Sequence, residues 1–138
     1  MRAALAAACA IAGAIAALGC GGVRAADLFV LTRTGPTPQQ RLTLLIDEEG
    51  GVHCNGGATL KLSDPQLVQA RAIQEELHDA AAAHLSLPAR PGSVFSYYVR
   101  DVDGNVRFSD NSTSQPPVLH HLQLLTVQVA QQVCGLSG

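Results

Sequence analysis

Four cysteines and five histidines are the residues of this 138-residue chain best equipped for chemistry. Cys9 and Cys20 fall within an apolar N-terminal run, which leaves Cys54 and Cys134. If the domain is exported, as the N-terminal run suggests, such an even pair reads as a disulfide. It would close a loop of about 80 residues, a constraint on the unfolded chain of about 4–5 kcal/mol. A redox or metal-binding thiol at Cys54, helped by His53, is the other reading, but no CxxC or similarly close ligand spacing supports it. The histidines do not assemble a metal site on paper. His120 and His121 are consecutive, so on a helix they point about 100° apart. His78 and His84 miss the i,i+4 spacing of a helical zinc pair, and no HExxH occurs.

The oxygen-bearing residues are equally unpromising for catalysis. Asp101, Asp103 and Gly104 echo a calcium loop without its twelfth-position glutamate, and Asp-Gly-Asn is what a tight hairpin needs. Ser109-Asp110 has no GxSxG around it. Asp47-Glu48-Glu49 and Glu75-Glu76 are carboxylate clusters of the kind that sit in solvent. Asn111-Ser112-Thr113 formally matches a glycosylation acceptor, a short pattern of little weight by itself. No glycine-rich phosphate loop follows a strand. No catalytic residue, metal site or cofactor is expected, and the chain does not read as an enzyme.

Composition points away from nucleic acid. Nine Lys and Arg stand against eleven Asp and Glu, for a net charge of −2, and there is no basic block. With no Trp, two Tyr and three Phe, a stacking platform for bases or sugars is poorly supplied. The first residues instead have the layout of a secretory signal: a charged start at Arg2, an Ala/Ile/Leu-rich run, then small residues. In one reading Ala17-Leu18-Gly19-Cys20 is a lipobox, with residues 1–19 removed, Cys20 diacylated (a palmitate-type anchor) and 20–26 a tether. Two chains would make that anchor stable, because each buried methylene contributes about 0.8 kcal/mol. In a second, Val23-Arg24-Ala25 precedes a cut after residue 25 that releases a soluble product. A third leaves the run uncut, since Ala3 to Val23 is uncharged over about 21 residues, the length of a span. Each places residues 27–138 outside the cytoplasm as one domain, expected to be monomeric.

The elements that must position these residues follow from alternation and turn chemistry. Strands are expected at 27–33, 42–46 and 52–54, with a Gly/Pro loop at 34–38 and a turn at 47–51. Asn55-Gly56-Gly57 breaks the pattern. Ser63-Asp64-Pro65 opens a helix to about residue 85, with Leu67, Ala70, Ile73, Leu77 and Ala81 on its apolar face. A linker at 88–92 leads to strands at 94–100 and 106–110 around a turn at 101–105. A last helix at 118–133 would bury Leu119, Leu122, Leu125 or Val127, Val129 and Val133. The order β-β-β-α-β-β-α implies an α+β domain, a small antiparallel sheet with two helices packed on one face.

The run Phe95 to Asp110, followed by Pro116-Pro117 and the Leu119/Leu122 helix, resembles the emfourin family, small protein inhibitors of thermolysin-like metalloproteases; Phe95, Tyr97, Val99, Phe108, Asp110 and Pro116 match its pattern. Thr32-Arg33-Thr34-Gly35 is similar to the Arg-x-Gly stretch that ends that family's first strand. More of the chain resembles uncharacterised actinobacterial secreted proteins and lipoproteins, through 27–33, His53 to Gly57, Gln115-Pro116-Pro117 and 133–136. The first resemblance implies a non-enzymatic binding domain with a metalloprotease partner. Arg33, Thr34, Gly35, Pro36, Thr37 and Pro38 would be its binding residues, with Arg33 the polar anchor and the turn at 47–51 assisting. Pro36-Thr37-Pro38 replaces the family's Gly-rich, aromatic loop, and the cysteine pair is added. A structural envelope lipoprotein without inhibitory activity is the alternative.

Overall fold

The computed structural model describes residues 25–137. The signal segment 1–19, the lipobox cysteine Cys20 and most of the tether lie outside the described residues. Within them runs a six-stranded, wholly antiparallel sheet: β1 (Asp27–Thr34), β2 (Leu42–Asp47), β3 (Gly51–Cys54), β4 (Thr59–Lys61), β5 (Ser96–Arg100) and β6 (Asn105–Ser109). Helix α1 (Asp64–Ala82) follows β4, and α2 (Pro117–Gln132) ends the fold. The α+β class and the expected order hold, with β4 added as a short edge strand. Across the sheet the order is β4-β3-β2-β1-β5-β6. The first strand is therefore central, and α1 carries the chain from one edge to the other.

Alternation divides the sheet into a dry face and a wet one. Phe29, Leu31, Leu42, Leu44, Ile46, Val52, Tyr97, Val99, Val106 and Phe108 are buried together with the apolar faces of both helices. Their neighbours Thr32, Thr43, Leu45, His53 and Tyr98 are only half-buried, and Arg100 and Arg107 are exposed. Both helices therefore cover the same face. Helix α1 buries Ala70, Ile73, Leu77 and Ala81, as its periodicity requires. Ser63 caps it: its hydroxyl accepts from the Gln66 N–H while the Gln66 side chain takes the Ser63 N–H. In α2 Leu125 is buried and Val127 is exposed, which decides between them.

Two devices close the edges. The Leu85 carbonyl accepts from the Arg107 N–H at 2.9 Å and the Leu87 N–H donates to the Arg107 carbonyl at 2.9 Å, so the segment after α1 pairs with the outer edge of β6. Gly104, in the β5–β6 turn, lies so close to α1 that a Cβ would collide with the Ala81 carbonyl. Near the other edge, one strand in from β4, Cys54 and Cys134 form a disulfide, with Cα atoms 5.9 Å apart, that ties β3 to the segment after α2. Among the described residues no helix is long and apolar enough to cross a membrane.

Because this bond closes a loop of 80 residues, its loss should matter. Replacing both Cys54 and Cys134 by Ser should lower the unfolding free energy by about 2–5 kcal/mol in urea titrations. Thiol counts on the unfolded chain should rise by two on reduction; no rise would mean the pair is free.

Candidate partner-binding site

The end of the sheet where β1 stops gathers most of the residues named for binding. Arg33 follows Phe29 and Leu31 on the inner face of β1, and it pairs with Leu42 on one side and Tyr97 on the other. That position buries its side chain to 8% exposure, although it is charged. The guanidinium lies over the Phe95 ring, 4.7 Å from its centroid. Beside it, Tyr97 stacks on Phe108 with ring centroids 4.9 Å apart. Burial pushes the Tyr97 phenol up, and the charge of Arg33 pulls it partly back.

The segment after Arg33 is a braced protrusion. Thr34, Pro36, Thr37, Pro38 and Gln39 are exposed, while Gly35 and Gln40 are half-buried. Pro38–Gln40 forms a single 3-10 turn. The Gln40 side-chain oxygen accepts from both the N–H and the hydroxyl of Thr37, each at 3.1 Å, and the Gln40 N–H returns to the Thr37 carbonyl at 3.0 Å. Gly35 packs tightly at the base: a Cβ there would stand 2.6 Å from that of Gln40 and 2.9 Å from the Phe95 ring. Two prolines add fixed φ angles and reduce the freedom of the unfolded chain.

Phe95, the partner of Arg33, is itself held by Asp110. One Asp110 oxygen accepts from the Ser93 hydroxyl at 2.8 Å; the other accepts from the N–H groups of Val94 and Phe95, each at 3.1 Å. Burial alone would raise the pKa of this carboxyl, but its donors, Ser93 foremost, outweigh that and hold it below the usual value. Asp110, singled out for a hydrolase-like Ser-Asp pair, is a positioning residue. The next residues finish the brace: the Asn111 side chain accepts from the Arg90 N–H and donates to the carbonyls of Arg90 and Pro91, and the Ser112 hydroxyl donates to the Pro88 carbonyl.

Beneath the protrusion lies a cavity of about 370 Å³ lined by Arg33, Gln39, Gln40, Arg41, Phe95, Leu136 and Ser137. Leu136 and Ser137 supply one wall; Leu136 lies two residues beyond the disulfide-bonded Cys134, and its N–H donates to the Ala130 carbonyl at 2.8 Å. A second hollow, of about 410 Å³, opens on the wet face among Thr32, Thr34, Ser96, Tyr98, Arg107 and Ser109. There Arg107 already stacks on Tyr98, 4.5 Å from the ring centroid.

Two expectations change. Arg33 is not displayed on the loop as a surface anchor, because strand alternation turns it inward beneath the loop. The turn at 47–51 cannot assist either: Asp27 pairs with Asp47 while Arg33 pairs with Leu42, so turn and loop lie at opposite ends of the sheet. That turn is built on Asp47, whose side chain accepts from the N–H groups of Glu49 and Gly51.

Four of the five histidines are occupied locally. His53 Nδ1–H donates to the Gly57 carbonyl at 2.8 Å and its Nε2 accepts from the Thr59 hydroxyl at 3.2 Å, bracing the β3–β4 turn. His84 Nδ1 accepts from the Asn105 side-chain amide at 3.0 Å. His78 meets Asp103 at 3.0 Å; that hydrogen bond, followed by the charge of Asp103, raises its pKa above 6.5. His121 lies 3.8 Å from Glu76. Among the described residues no three His, Cys, Asp or Glu side chains converge on a metal-sized site.

The sequence matches no family model, and no curated protein or solved structure is significantly similar to the chain.

Asp110→Asn should lower the unfolding free energy by about 1–3 kcal/mol, since a charge-assisted acceptor becomes a neutral one. The folded pKa of Asp110 is depressed, so its contribution is whole above the unfolded value of about 4 and is lost as pH falls through the lower folded value. Denaturation curves from pH 7 to 2 should converge for Asp110→Asn and the parent at the acid end; parallel curves would remove this role.

Proposed function

We propose that the chain is an exported, lipid-anchored, non-enzymatic binding domain, and that residues 35–40 occlude the cleft of a thermolysin-like metalloprotease in the manner of an emfourin. The observation that carries this reading is the combination of exposure and bracing in that loop. A loop ordered before it meets its partner loses little conformational entropy on binding. The Thr37–Gln40 hydrogen bonds, the two prolines and the packed Gly35 provide that order.

The direction of β1 adds support. The strand starts beside the expected tether and ends at the loop, so its eight residues carry the loop about 25 Å from the anchored end. A domain lipidated at Cys20 would thus hold its loop away from the bilayer, toward a soluble or surface-bound protease. Gln39 supplies an exposed hydrogen-bonding side chain at the tip, and Pro36 and Pro38 offer no backbone N–H for a protease cleft to pair with.

Inhibition assays against thermolysin-like metalloproteases test the protease arm. Micromolar or tighter inhibition is expected, weakened at least about tenfold when Pro36-Thr37-Pro38 is replaced by Gly-Ser-Gly, with the melting temperature lowered by a few degrees and the fold kept. No inhibition at micromolar concentration would overturn it and leave the structural envelope lipoprotein. For the anchor, metabolic labelling with a palmitate analogue should tag the parent chain and not Cys20→Ser; labelling of neither would favour the cut after residue 25.

A further inference from the structure

The cavity under the loop carries an inference that does not depend on the protease reading. Arg33 is more than nine-tenths buried, and its side chain makes no hydrogen bond or ion pair with any described residue. Its Nε–H is shut off from solvent and meets no acceptor, whereas its two terminal nitrogens are not shut off and are the ones a molecule in the cavity could reach. A guanidinium cannot escape burial by losing its proton, and a buried charge is ordinarily paired. The Phe95 face offers π electron density but no lone pair in the plane of the fork, where the N–H groups point.

What surrounds Arg33 makes the missing partner specific. The cavity brings in a second guanidinium, Arg41, with the amides of Gln39 and Gln40 and the hydroxyl-bearing Ser137. Among the described residues no carboxylate lines it. Phe95 and Leu136 supply apolar wall, and the volume of about 370 Å³ suits a small organic group rather than a lone ion. Asp101 Oδ2 is the other buried polar atom without a partner among the described residues. It differs in kind, because Asp101 Oδ1 already accepts from the N–H groups of Asp103 and Gly104 in a turn.

We propose that this cavity is a binding site for a carboxylate borne on a short apolar group, with Arg33 as its charged base. A planar carboxylate fits a guanidinium fork with two parallel hydrogen bonds, Arg41 and the glutamine amides close on its outer side, and the alkyl part lies against Phe95 and Leu136. A phosphate dianion fits less well, since the apolar walls would strip water from oxygens that this donor set cannot all satisfy. Such a carboxylate could be a free branched-chain acid or the C-terminal carboxylate of a peptide ending in an apolar residue.

The test uses the full-length chain labelled with ¹⁵N and titrated by NMR. Isovalerate should shift the Arg33 Nε–H and neighbouring Phe95 and Leu136 amides, with a dissociation constant of about 1 mM, as expected of so small a ligand. Isovaleramide and inorganic phosphate should leave these signals in place. Arg33→Gln should weaken isovalerate at least about tenfold, the loss of one charge-assisted bidentate pair. Arg41→Ala, at an exposed position, should weaken it several-fold and keep the fold. If Arg33→Gln does not fold, the Arg41→Ala series and the acid-against-amide comparison still decide. A tetrapeptide ending in free leucine that binds about tenfold tighter than isovalerate assigns the site to a chain end; equal or weaker binding assigns it to a free acid. No shift with either carboxylate, or equal shifts with isovaleramide or phosphate, would overturn the proposal.

Discussion

The central position of β1 is the constraint from which the rest of the site follows. The strand is hydrogen-bonded on both sides and covered by helices on one face, so alternate side chains must leave water. Phe29 and Leu31 gain from that, at about 25 cal/mol for each Å² of apolar surface removed. Arg33 is taken along by the same alternation and loses. The effective cost of burying an ion is several kcal/mol, while a cation over an aromatic face recovers about 0.5–2 kcal/mol. For Arg33 the unpaired, solvent-excluded atom is Nε, so the cost falls on that N–H, and the Phe95 contact recovers part of it. A strand whose first two inward residues build the core thus ends in a charged one carried inward with them.

The neighbourhood is organised to keep Arg33 in that place. Asp110 fixes the backbone at Val94 and Phe95, and Phe95 supports both the guanidinium and the base of the loop at Gly35. The disulfide ties the C-terminal segment that walls the cavity to the end of β3. Loop, ring and wall come from segments far apart in the chain, and each is held by bonds that do not involve a ligand. This is the arrangement expected of a preorganised site, where order is established by folding rather than by the partner.

Much of the scaffold was legible in the sequence because burial imposes periods on it. Alternation in β1, β2 and β5, the Ser63 cap and the helical spacing of Leu119, Leu122 and Val129 each report a face turned to the core. Strand β4 left no such trace: Thr59, Leu60 and Lys61 are all exposed at the sheet edge. The first helix stops at Ala82 rather than near residue 85, because the chain turns at His84 with φ of 51° and sends Leu85 to pair with β6. The loop of prolines was visible as a loop. The burial of Arg33 was not, since it depends on β1 being central and on which face the helices cover. Neither fact is local to residues 32–35. The cavity was hidden for the same reason, its walls coming from β1, the 3-10 turn, the entry to β5 and the C-terminal segment.

The side-chain resonance of Arg33 tests the account most directly. In ¹⁵N-labelled full-length chain, one arginine Nε–H should exchange with water far more slowly than the others and be displaced upfield by the Phe95 ring current. Phe95→Leu should abolish the displacement. If every arginine Nε–H exchanges at solvent rates and none responds to Phe95→Leu, Arg33 is not buried against that ring, and the site described here does not exist.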